Sequence, residues 1–213
     1  MRWAIVVALV ACGDKEQKPA PAPAEPALPT EAELRAQNTL AIVERAGKFE
    51  VRDATGSVTI VMPQKPTLEG DIKTQGSEQA FHAQAKLRGA PASAEGASTR
   101  MKGERGALDI QLAILTMRDR ILPDEVVKTL DAAPFEIVKG AGGGDIQRNM
   151  KGSLAGHPAQ VFELVTPDQR RILGWYIPQS SRGRLIQIHC SGPEGDATRV
   201  GCDEIAASLT VAK

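Results

Sequence analysis

The chain has 213 residues with 26 basic and 26 acidic side chains, so its formal net charge at neutral pH is zero. That balance argues against a nucleic-acid binder, which gains affinity by counterion release and shows a basic surplus. Aromatic residues make up 3% of the chain, too few for a platform on which bases or sugars stack.

The first residues read as an export signal. Arg2 gives a positive start, and Trp3 to Val10 form a run of eight apolar residues. That run is far short of the roughly 20 residues needed to span a bilayer. It ends in Leu9-Val10-Ala11-Cys12, which resembles the lipobox of bacterial lipoproteins. The resemblance implies cleavage between Ala11 and Cys12, diacylglycerol on the Cys12 thiol and a further acyl chain on its new amino group. It also implies a lipid-anchored place in the bacterial cell envelope, on the periplasmic face or the cell surface. Two or more acyl chains hold a protein stably on a bilayer, where one does not. Within that family, Gly13 in place of Asp favours the outer over the inner membrane.

Residues 12–29 carry the lipidated Cys12 and a linker. Pro19 to Pro29 alternates Pro with Ala, so it buries no core and favours extended polyproline II. At about 3.1 Å per residue this spacer reaches about 30 Å. Residues 30–213 then read as one α+β domain. Thr30 and Glu33 form a capping box that starts a helix, expected to run to Ala46 and stop at Gly47 and to sit at the periphery. Lys48 to Arg52 and Ser57 to Met62 alternate as strands around the turn residues Asp53 to Gly56, which makes a hairpin. Gln79 to Leu87 alternates weakly. Gly89 to Gly103 is small and polar and reads as a loop. Ala107 to Met117 is the clearest strand.

Pro123-Asp124-Glu125 opens a helix with Val126, Val127, Leu130 and Ala133 on its buried side. Gly140 to Gly144 is a loop. From Asp145 the pattern is an antiparallel meander: Ile146 to Met150, Gln160 to Val165, Arg171 to Ile177 and Arg184 to His189. A last helix covers Ala197 to Leu209. Strand runs with segregated helices predict an antiparallel sheet packed with helices. The order also resembles the PsbP/Mog1-like α/β/α sandwich. The elements carrying the likeness are a strand ending at Met62-Pro63, the long strand before the Pro123 helix, the turn Gly156-His157-Pro158, and the closing helix with Ser208-Leu209. Members of that family are binding or assembly proteins without shared catalytic residues, so the resemblance implies no site residues.

With Cys12 assigned to lipid, Cys190 and Cys202 are an even pair in an oxidising compartment, which predicts a disulfide. The alternative, a metal site, needs further ligands, and of these only His189 is near. Adjacent strand residues point to opposite faces, so His189 and Cys190 chelate poorly together. The histidines His82, His157 and His189 form no metal-binding spacing and read as surface or structural residues. No nucleophile elbow, phosphate loop or calcium loop occurs, so no catalytic residue, cofactor or metal is expected. Arg170-Arg171 and Arg182-x-Arg184 flank one hairpin. They read as solvated strand ends, or as a basic edge facing anionic lipid or an acidic partner. The functional expectation is a non-enzymatic envelope lipoprotein that binds a protein or envelope component. A carrier of a small apolar ligand, or an enzyme with an unrecognised site, are the alternatives.

Overall fold

The computed structural model describes residues 27–68 and 95–212. Ala11, Cys12, most of the Pro/Ala spacer, His82 and the expected strand at 79–87 lie outside the described residues. In chain order the strands are β1 (Leu40–Arg45), β2 (Lys48–Asp53), β3 (Val58–Met62), β4 (Thr67–Leu68), β5 (Gly96–Arg105), β6 (Leu108–Met117), β7 (Asp145–Leu154), β8 (His157–Val165), β9 (Arg170–Gln179), β10 (Arg184–Pro193) and β11 (Thr210–Val211). The helices are α1 (Glu31–Asn38), α2 (Asp124–Lys128), α3 (Ala133–Gly140) and α4 (Asp196–Ala207).

These strands form two open antiparallel sheets. The smaller has the order β1-β2-β3-β11 and the larger β4-β5-β6-β10-β9-β8-β7. Period-2 patterning gives the larger sheet two buried faces. Ile110, Leu112 and Ile114 of β6, Leu173 and Trp175 of β9, and Ile186 and Ile188 of β10 point one way. They meet Val51, Val58, Ile60 and Met62 of the small sheet, and Ile205 and Ala206 of α4. Leu115, Phe162, Leu164, Tyr176 and Leu185 point the other way, beneath Leu122, Val126, Leu130 and Ala133. The fold is therefore α+β, with helices packed on an antiparallel sheet, as the patterning predicts.

Four expectations are corrected. The first helix ends at Asn38, and Leu40–Arg45 is a strand paired with β2 in the register Leu40↔Asp53 to Arg45↔Lys48. Ala46 and Gly47 both have positive φ, 49° and 71°. That is the signature of a tight two-residue hairpin turn, so Gly47 closes a hairpin and does not stop a helix. The segment read as a loop up to Gly103 contains β5, paired with β6 along its full length. Its small residues serve packing: a Cβ on Gly103 would lie 2.4 Å from Met62 Cε. The helix opened by Pro123 breaks into α2, a 3-10 turn at Leu130–Ala132, and α3, where Pro134 stands in the first turn. Proline lacks the N–H that a continuous helix would need there. The last helix ends at Ala207, and Thr210 and Val211 then pair with β3.

Candidate functional site

Five distant segments converge at one end of the space between the sheets: α1, the β2–β3 turn, the end of β6 with its following loop, the β9–β10 turn, and Ala212. They enclose an open cleft of about 540 Å³. Leu34, Gln37 and Asn38 form one wall, Thr55, Gly56 and Ser57 another, and Thr116, Arg120, Arg182 and Arg184 complete it.

The floor is a network of buried polar groups. Asp53 ends β2 and is 1% exposed. Its carboxylate accepts from Thr55 Oγ1 at 2.5 Å, Ser57 Oγ at 2.9 Å, the Val58 N–H at 2.9 Å and Arg184 Nη2 at 2.9 Å. Arg184 Nη1 also donates to Ser57 Oγ at 2.5 Å. Local sequence explains this arrangement, because Asp, Thr and Ser in a turn fold their side chains back onto nearby donors. Burial pushes the Asp53 carboxyl up. The Thr55 hydroxyl, the Val58 N–H, Arg184 and Ser57 together outweigh burial and hold it below the usual carboxylate range. Beside this pair, Asn38 donates to Leu34 O at 2.8 Å, satisfying a carbonyl at the end of α1, and accepts from Thr116 Oγ1 at 2.6 Å.

A second buried carboxylate fastens α4 to the large sheet. Glu163 of β8 is 3% exposed. It is paired with Arg171 of β9, and it accepts from Arg199 of α4 at 2.8 and 3.1 Å. Burial raises its pKa, but Arg199 and then Arg171 outweigh this and hold it below the ordinary range. On the opposite face, Tyr176 Oη and His189 Nε2 lie 2.7 Å apart. The Phe162 ring stands edge-on to both, with centroids 5.3 Å from Tyr176 and 5.8 Å from His189. That ring covers Gly174, where a Cβ would lie 2.0 Å from Phe162 Cζ.

Cys190 and Cys202 form the predicted disulfide, with Cα atoms 5.5 Å apart, and it ties α4 to β10. His157 Nε2 lies 3.2 Å from Val211 O, at the junction of the two sheets. His189 is half-buried in the aromatic cluster. Among the described residues, no three His, Cys, Asp or Glu side chains gather where they could hold a metal ion. No described helix is long and apolar enough to cross a membrane.

The two arginine pairs divide in a way the sequence reading missed. Arg171 and Arg184 are not solvated strand ends; they are 8% and 7% exposed and paired with Glu163 and Asp53. The signal was present in the alternation. Arg184 shares the inward face of β10 with Ile186 and Ile188, and Arg171 that of β9 with Leu173 and Trp175. Arg170 is partly exposed and meets Asp109 at 2.5 Å.

The sequence matches no family model and no curated protein. Among solved structures it is similar to CyanoP, the cyanobacterial PsbP of Synechocystis. That match has a TM-score of 0.51 at 14% identity, over 79% of this chain and 95% of that one. The chain has the PsbP-like fold. The layout resemblance read from the sequence thus holds at the level of fold. Two other matches are looser. The Saccharomyces cerevisiae Ran-binding protein Mog1p matches with a TM-score of 0.40 at 12% identity, over 78% of this chain and 96% of that one. The Pseudomonas aeruginosa immunity protein TplEi matches with 0.36 at 10% identity, over 85% and 81%.

Proposed function

We propose that the chain is a lipid-anchored envelope protein whose folded part is a non-enzymatic binding module for a protein or envelope component. Cys12 carries the lipid, the Pro/Ala segment is the spacer, and the cleft over Asp53 and Arg184 is the binding site. One observation carries the reading: the cleft floor is pre-assembled from buried polar groups that satisfy one another, Asp53 with four donors and Asn38 with Thr116. A rigid, polar-floored recess suits recognition, because little ordering remains to be done when a ligand enters. It suits general-base catalysis poorly, since a carboxyl held below its usual range is a weak base.

The anchor is tested by fractionation of cells carrying the wild-type chain or Cys12→Ser. Wild type is expected with membranes and the variant in the soluble fraction with its leader uncleaved. A variant that stays with membranes at unchanged size ends the lipoprotein reading. The cleft is tested with a photo-cross-linking residue at Ser181, on the rim, and at Lys139, on α3. Intact masses from whole cells are expected to show a discrete adduct for position 181 and none for 139. Identical mass patterns overturn the assignment of the cleft.

A further inference from the structure

On the sheet face beside α4, three arginines gather about one carboxylate. Glu163 accepts from Arg171 Nη1 and from Arg199 Nε and Nη2, and all three bonds fall on its Oε1. β7 places the third arginine, Arg148, directly opposite Glu163 in the strand register. Directly opposed residues of paired strands share a face, so Arg148 belongs to the same patch. It is half-buried, no described carboxylate pairs with it, and its Nε is enclosed without an acceptor among the described residues. The Nε of Arg171 is enclosed in the same way, on a residue 8% exposed. Of the four enclosed side-chain atoms left without a partner among the described residues, two therefore belong to this one cluster. Arg199 has further acidic neighbours on its own helix, Asp196 at 3.9 Å and Asp203, so Arg148 and Arg171 are the groups with donors unmet. Gly192, the register partner of Arg171, is so close to α4 that a Cβ there would lie 2.9 Å from Thr198 Oγ1. The first turn of α4 thus stands beside Arg171, and its N-cap Gly195 has no side chain with which to cap the free amides.

A guanidinium stays protonated throughout the pH range of folded proteins, so an enclosed N–H without an acceptor costs stability. Folded proteins seldom leave such donors unmet, and two on one patch call for an acceptor from outside the chain. We propose that this patch binds an oxyanion, a phosphate or a carboxylate, through Arg148 and Arg171, with Arg199 on its solvent side. Glu163 is then a positioning residue. By holding Arg171 and Arg199 on one oxygen it orients their forks for the paired hydrogen bonds with which guanidinium meets an oxyanion. The Arg199 side chain is 45% exposed, which leaves the patch open to solvent. β7 is the outermost strand of the larger sheet, so a ligand reaches Arg148 from the sheet edge without passing another described strand. The site is separate from the cleft. Arg171 stands near the start of β9, and Gln179, across from Arg184 of the cleft floor, ends it about 26 Å away at the usual rise per strand residue.

The test is equilibrium dialysis of the full chain, in a non-ionic detergent, against labelled inorganic phosphate and against labelled succinate. Saturable binding of one anion per chain is expected. Tighter binding of phosphate supports the proposal with a phosphate ester as ligand, and tighter binding of succinate supports it with a carboxylate. In Arg148→Ala the affinity is expected to fall at least about tenfold, the equivalent of one lost charge-assisted hydrogen bond. Lys139→Ala, which removes an exposed cation on α3, is expected to leave it unchanged. Saturating anion is also expected to raise the unfolding midpoint of the wild type and not that of Arg148→Ala. If Arg148→Ala unfolds at a lower midpoint than wild type in anion-free buffer, Arg148→Gln, which keeps most of the stem, is read in its place with the same expected loss. Absence of saturable binding by either anion, an equal loss in Lys139→Ala, or unchanged affinity in the Arg148 variant overturns the proposal. None of these outcomes bears on the cleft, which the cross-linking at Ser181 decides.

Discussion

Asp53 and Glu163 are buried carboxylates whose charge is held by arginine, and their loss has a calculable direction. Both have folded-state pKa values below their unfolded ones. Their contribution to stability is therefore complete above the unfolded value of about 4 and disappears as pH falls through the folded value. Chemical denaturation followed from neutral pH downward is expected to show stability falling below about pH 4. Asp53→Asn is expected to cost about 3–5 kcal/mol near neutral pH, because Arg184 is left buried without its counter-charge. The same variant should show a shallower loss on acidification, and an unchanged acid slope would separate Asp53 from the effect. Gly174 is constrained by sterics alone. The Phe162 ring occupies the place of its missing side chain, and Phe162 is wholly buried. Gly174→Ala is expected to lower stability by about 1–3 kcal/mol, read as a lower urea midpoint with unchanged slope.

The elements differ in how plainly they could be read. β6, β8, β9 and β10 are legible as long apolar, β-branched and aromatic runs, because both of their faces are covered and burial is nearly continuous along them. β1 and β5 were not legible, for opposite reasons. β1 follows directly on a well-capped helix, and its apolar run Leu40 to Val43 fits a helical stripe as well as a strand. Only pairing with β2 through the Ala46–Gly47 turn decides it. β5 is built of small and polar residues because α1 and Met62 lie against it, so the feature that suits its packing is the one that reads as a loop. α4 depends on a covalent tie. Cys190 and Cys202 are 12 residues apart, and a loop of that size is worth about 3 kcal/mol in the chain-entropy model. Replacing both by Ala is expected to lower unfolding free energy by about that amount, with the loss concentrated in amide-exchange protection of α4. Uniform protection in the variant would show that the Glu163–Arg199 contact suffices to dock the helix.

Over the whole molecule, linear chemistry and spatial chemistry separate cleanly. The expected leader with its lipobox-like Leu9-Val10-Ala11-Cys12, the Pro/Ala run, the even pair of cysteines and the strand patterning are written in short stretches of sequence. Signal recognition, polyproline stiffness and β-patterning act over short stretches of chain, so the sequence alone determined an α+β class and a disulfide Cys190–Cys202, and predicted an anchored architecture. The cleft is different. Its floor joins Asn38, Asp53, Thr116 and Arg184, and its rim joins Arg120 to Arg182, residues up to 146 positions apart along the chain. No local pattern marks such a group, because its members become neighbours only when the small sheet closes over the large one. Whether an arginine at a strand end is a solvated charge or the counter-ion of a buried carboxylate was decided by that closure. The physical reason is that the cost of burying a charge depends on what the fold places within a few ångströms of it.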